Sequence, residues 1–216
     1  NMRDRYGYFE GDVVARWLRH HGPDRIMELV EPFAYVDPSG RVWRAPALSR
    51  VDGASIPGAL WEEVGPPFVG DYRRATVVHD VACQRKTEES ETVHRMFYDA
   101  MRCDGVGFAK ATLMYRAVKH FGPSWSLATG GLSSPEVFTV SMESLRRAVR
   151  RATAELDEDT PLDELDQRID ALLYHERSQP GVAEDMGKKR QRVRTANVRS
   201  QTDGNRSNPM TDDPKV

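Results

Sequence analysis

Three helical patterns follow one another between residues 71 and 121, separated by breaks too short for anything but tight turns. That succession restricts the chain to folds with a helical layer. Asp71 is a suitable N-cap for a helix through Ala75, Val78 and Ala82. The polar break Arg85-Lys86-Thr87-Glu88 leads to a second helix over about 89–103. A third, over about 107–121, carries Phe108, Ala111, Leu113, Met114, Ala117 and Val118. Phe121-Gly122-Pro123 ends it, because glycine supplies a C-terminal turn and proline cannot continue one.

The residues before this block read as strands. Val13 and Val14 precede Trp17-Leu18, and an apolar run over 26–36 leads through Asp37-Pro38-Ser39-Gly40 to Val42-Trp43. Proline presets φ in a type I turn and glycine accepts the exit conformation, so the pattern predicts a β-hairpin over about 26–47. Residues 50–57 are too rich in small and breaking residues to be regular and form a loop. The expected architecture is therefore α+β: an antiparallel hairpin or small sheet on a three-helix core, spanning residues 1–130.

Gly130-Gly131-Leu132-Ser133-Ser134-Pro135 reads as a linker. Beyond it, Phe138, Met142, Leu145, Val149, Ala152 and Leu156 form a narrow coiled-coil-like stripe on a charged helix. Leu162, Leu165, Ile169 and Leu172 continue it in a second helix opened by Thr160-Pro161. This helical appendage, 135–177, needs a partner for its seam over 138–173: its own second helix, another copy, or another protein. Residues 178–216 hold few large apolar residues and read as a disordered tail. Its cluster Lys188-Lys189-Arg190-Gln191-Arg192 is read as solvated rather than as a contact for nucleic acid.

Composition agrees with such a chain, since 39% of residues are apolar and 30% charged. A formal charge of -2 argues against nucleic-acid binding by the folded part. No apolar run approaches the ~20 residues of a membrane span, and the N-terminus lacks a secretory pattern. Cys83 and Cys103 match no zinc spacing and make no disulfide framework, so a reduced, cytoplasmic setting is expected.

Chemistry concentrates around His79-Asp80 on the first helix. On the second, His94, Phe97, Tyr98 and Met101 are spaced i, i+3, i+4, i+7 and share a face. Helices joined by a short turn pack antiparallel, which points His94 at His79, and Asp52 arrives from the glycine-containing loop. Two imidazoles and two carboxylates in one place make either a metal set or a general base with an orienting partner. Histidine and aspartate also cap helices and satisfy buried polar groups.

Four ordered motifs add to this: Asp52-Gly53-Ala54-Ser55-Ile56-Pro57, Val77-Val78-His79-Asp80, Arg95-Met96-Phe97 with Ala100-Met101, and Met114-Tyr115, Val118, Phe121-Gly122. Over residues 51–125 they resemble the bacterial and phage family called domain of unknown function 1353. In order, the segment is also similar to prokaryotic secreted phospholipases of the A2 type. That second resemblance implies calcium held by Asp52, Asp80 and the Gly53 carbonyl, with His79 as general base on a water. His94 stands where those enzymes carry an orienting aspartate. A neutral histidine accepts a hydrogen bond from His79 but stabilises an imidazolium less than a carboxylate does.

The expected function is thus a metal-assisted hydrolase of ester, phospholipid-like bonds, with catalytic His79 and His94 and metal ligands Asp52, Gly53 and Asp80. Asp99 and Glu91 are alternative orienting acids. In a zinc-dependent alternative, Asp52, His79, Asp80 and His94 hold the metal. A further alternative is a non-catalytic, phage-associated or assembly module acting through the C-terminal helices. Trp61 and Phe68 line an apolar substrate mouth or, equally, pack as core. Ser55 sits in a loop with no adjacent base in the sequence and no nucleophile-elbow pattern, so it is not expected to be a nucleophile.

Overall fold

The computed structural model describes residues 5–18, 26–53, 55–60, 65, 70–128 and 140–177. The strands are β1 (Tyr8–Glu10), β2 (Ala15–Trp17), β3 (Met27–Leu29), β4 (Phe33–Val36), β5 (Val42–Ala45) and β6 (Arg50–Val51). The long helices are α1 (Arg73–Arg85), α2 (Ser90–Cys103), α3 (Phe108–Phe121), α4 (Met142–Glu155) and α5 (Leu162–Arg177). The architecture is α+β, as the sequence predicts.

Two antiparallel three-stranded sheets form, in the orders β1-β4-β5 and β2-β3-β6. The hairpin expected over 26–47 is shorter, because its first apolar run divides between the sheets. β3 pairs with β2 and β6, and β4 pairs with β5 in the register Phe33↔Ala45 to Val36↔Val42. The turn lies where the sequence puts it. Oδ1 of Asp37 accepts from Ser39 N at 2.9 Å and Arg41 N at 3.0 Å, and Oδ2 accepts from Trp43 Nε1 at 2.9 Å. Gly40, at φ 86°, takes the left-handed exit that a side chain disfavours. Burial pushes the Asp37 carboxyl up, but the donors around it prevail and hold its pKa below the usual value.

Helix α1 packs on both sheets and on α2; α2 packs on α3, and α3 on α4. The start of α1 departs from expectation. Tyr72 is the N-cap residue, and Asp71 pairs instead with Lys110 of α3 at 2.9 Å. Tyr72 is fully buried and donates to the Gly65 carbonyl at 2.6 Å, so packing rather than a side-chain cap sets this end.

By packing, the chain divides into two units, residues 1–169 and 170–216; of the second, residues 170–177 are described and are helical. The first unit runs past the boundary expected at 130–135. Leu145, Val149 and Ala152 of α4, and Leu165 and Ile169 of α5, are buried within it. These residues of the apolar seam are already buried in the single chain. The expected linker, the tail and its basic cluster, and Phe138 lie outside the described residues. No helix among the described residues is long and apolar enough to cross a membrane.

Candidate metal centre

Helices α1 and α2 bring His79 and His94 together as the spacing predicts. His79 Nε2 lies 3.0 Å from His94 Nδ1, and His79 also stacks on Phe97 with ring centroids 4.4 Å apart. His94 Nε2 donates to the Pro123 carbonyl at 3.0 Å. That carbonyl is delivered by the chain turning back after α3. Trp125 buries its ring edge-on to His94 and donates from Nε1 to the Glu88 carbonyl at 2.8 Å, while Ser90 Oγ donates to the Trp125 carbonyl at 2.9 Å.

On the other side of His79, Nδ1 lies 3.1 Å from Ser55 Oγ. Ser55 Oγ in turn donates to Asp80 Oδ1. Asp80 Oδ2 accepts from Gly53 N at 2.7 Å. Gly53 stands at φ 71°, a left-handed backbone that aims its N–H at the helix. Its carbonyl is taken by Ile56 N at 3.1 Å. Asp80 thus holds Gly53 and Ser55 against α1. Asp52 is exposed.

Cys83, which matches no zinc spacing with Cys103 in the sequence, stands beside the two histidines. It lies one helical turn beyond His79, and its Sγ is 3.6 Å from His79 Nε2. One ligand atom from each of His79, Cys83 and His94 fits within a span of 4.8 Å. Among the described residues this is the group of three or more such side chains that can hold a metal ion. The i, i+4 spacing of His79 and Cys83 was visible in the sequence; a search for cysteine-to-cysteine spacing passes over it. No base adjoins Ser55 in the chain, but His79 Nδ1, 24 residues away, lies 3.1 Å from its Oγ.

The surroundings are dry. His79 is fully buried, His94 is 3% exposed and Cys83 7%. Burial, with His94 adding, holds the His79 pKa well below the ordinary histidine value. Burial likewise lowers His94 to about 4 against the Pro123 hydrogen bond, and raises the Cys83 thiol to about 12. Asp80 is pushed up to about 6, by burial first and then by the charge of Asp52, against the donors Ser55 and Gly53. Glu91 pairs with Lys119 at 3.3 Å. Trp61 and Phe68 lie outside the described residues. A surface pocket lined by Lys110, Leu113, Arg146, Val149 and Arg150 of α3 and α4 contains none of the cluster.

Fold and site together define an α+β domain with a buried cluster of two histidines and one cysteine against a clamped glycine loop. Residues 27–118 match the family described as "Protein of unknown function (DUF1353)". The chain is similar to two proteins of Sinorhizobium fredii. It is 45% identical over 124 residues to "Uncharacterized protein y4jT", covering 57% of this chain and 37% of that protein. To "Uncharacterized protein y4iH" it is 41% identical over 99 residues, covering 46% and 41% respectively. The chain therefore spans well under half the length of these relatives. No solved structure matches it.

Proposed function

We propose that this domain is a metal-assisted hydrolase whose metal is of the zinc class and is held by His79, Cys83 and His94. The observation that carries the reading is the convergence of three donor atoms within 4.8 Å in a dry interior. Nitrogen and sulfur donors suit zinc better than calcium, which takes oxygen ligands. Asp80, one of the calcium ligands expected from the sequence, has its oxygens engaged by Ser55 and Gly53. Three protein ligands leave a fourth position open, the arrangement of catalytic rather than structural zinc sites. Held by these three residues, zinc would supply Lewis-acid chemistry suited to ester hydrolysis. The protein's part is to fix the two imidazoles, exclude bulk water, and order the 53–56 loop beside the site.

Metal analysis of the purified chain, coupled to hydrolysis of a panel of carboxylic esters, tests this reading. We expect one equivalent of zinc, lost in His79→Ala and Cys83→Ala, with ester turnover lost alongside it. A chain that neither retains zinc nor turns over any ester after zinc is added sinks the proposal. The full burial of His79 favours a second reading, in which the centre is structural and the domain binds a partner. Stoichiometric zinc without hydrolysis, in a protein that melts when chelated, is its signature.

A further inference from the structure

We propose that Ser55 and Asp80 on one side, and the Pro123 carbonyl on the other, are positioning groups that turn two lone pairs toward a single cation; this rests on the metal reading above. Four contacts run in series. Asp80 Oδ1 meets Ser55 Oγ, and Ser55 Oγ meets His79 Nδ1 at 3.1 Å. His79 Nε2 then meets His94 Nδ1 at 3.0 Å, and His94 Nε2 meets the Pro123 carbonyl at 3.0 Å.

The ends of this chain of contacts dictate its middle. A carboxylate and a carbonyl only accept. Ser55 therefore gives its single hydrogen to Asp80 and has only lone pairs left for His79. His79 must carry its hydrogen on Nδ1 and donate to Ser55. At the far end His94 must carry its hydrogen on Nε2 to donate to Pro123. A neutral imidazole has one N–H, so His79 Nε2 and His94 Nδ1 both present lone pairs to the gap between them. Two lone pairs facing each other at 3.0 Å repel unless a cation joins them.

Cys83 identifies the cation as a metal. Its Sγ stands 3.6 Å from the same His79 nitrogen. Tetrahedral zinc, with Zn–N of ~2.0–2.1 Å and Zn–S of ~2.3 Å, sets nitrogens ~3.3 Å apart and nitrogen from sulfur ~3.5 Å. Both separations to His79 Nε2 lie close to these values, and the Cys83–His94 pair lies within the 4.8 Å span, an edge that must shorten when the ion is held. The outer groups then act as such groups do around metal-ligating histidines, fixing the ring tautomer and orientation. Asp80 adds a connection of its own, because its other oxygen holds Gly53 N at 2.7 Å. Metal occupancy and the conformation of the 53–55 loop are thereby linked.

Zinc titration of the full chain and of Ser55→Ala and Ser55→Thr, with ¹⁵N spectra of the imidazoles, tests this. We expect the wild type to bind one zinc, with His79 protonated at Nδ1 and His94 at Nε2. Ser55→Ala should bind about 10- to 100-fold more weakly and lose the single His79 tautomer, and Ser55→Thr should restore both. Equal affinity and an unchanged His79 tautomer in Ser55→Ala overturn the positioning role while leaving the metal centre standing. A wild type that takes up no zinc, with a proton shared between the two rings, overturns the metal reading itself.

Discussion

Arg116 of α3, 1% exposed, donates to Asp166 of α5 at 2.6 Å, and Tyr115 donates to the other carboxylate oxygen at 2.7 Å. Lys119 joins from the next turn at 2.8 Å. Burial pushes the Asp166 carboxyl up, but these donors prevail and hold its pKa below the usual value. Breaking a buried pair strands a charge, at a cost of about 3–5 kcal/mol. Asp166→Ala should lower the unfolding free energy by that order in urea titrations. Arg116→Met with Asp166→Leu should recover most of the loss.

The apolar seam makes a separate prediction. Leu145 and Leu165 are fully buried inside the first unit. Replacing either with alanine removes apolar area and leaves a cavity, which costs about 2–5 kcal/mol. Thermal or urea unfolding at several protein concentrations measures this. A concentration-dependent midpoint would show that a second copy contributes to the seam.

The Asp80 clamp is accessible to hydrogen exchange. Asp80→Asn weakens a charge-assisted acceptor of Gly53 N–H, and hydrogen bonds to charged groups contribute about 1.5–3 kcal/mol. Exchange of the Gly53 amide should quicken about 10- to 100-fold if local opening governs it. Unchanged protection in the variant would mean that the loop is held by other contacts.

Asp99 should impose a pH slope on stability. Burial, with Asp37 adding and Arg95 opposing, raises its pKa from 3.8 to about 7. The folded chain then holds a proton between pH ~4 and ~7 that the unfolded chain has released, so stability falls as pH rises through that window. His94, lowered from 6.5 to about 4, slopes the other way, losing stability as pH falls. The difference between wild type and Asp99→Asn, measured by denaturation from pH 4.5 to 7.5, isolates the first effect. A pH-independent difference would refute it.

Cys83 should resist thiol reagents. Burial raises its thiol to about 12, leaving almost no thiolate at pH 8. In chelator-treated protein, an aromatic disulfide should label Cys83 only as fast as the chain opens, and denaturant should accelerate it sharply. Rapid labelling of the folded protein is the contrary result.

The helices were legible because their apolar spacing and stop signals are local. α2 and α3 end within a residue of expectation, and the Asp37 turn needs only its own four residues. The facing of His79 and His94 was legible too, since a short turn forces α1 and α2 to pack antiparallel. The division of the 26–36 run between two sheets was not, because its partners come from β1 and β2 far upstream. Asp71 was misread as a cap because Lys110 attracts its carboxylate from another helix. By itself, then, the sequence determined the α+β class, the helix limits and the pairing of His79 with His94, all set by local geometry. Only the tertiary structure decided what surrounds that pair. It set Asp80 against Gly53 N and Ser55 Oγ, and brought Ser55, Cys83 and the Pro123 carbonyl to the imidazoles. Which group meets a buried polar atom depends on how distant segments close around it, and no spacing along the chain encodes that.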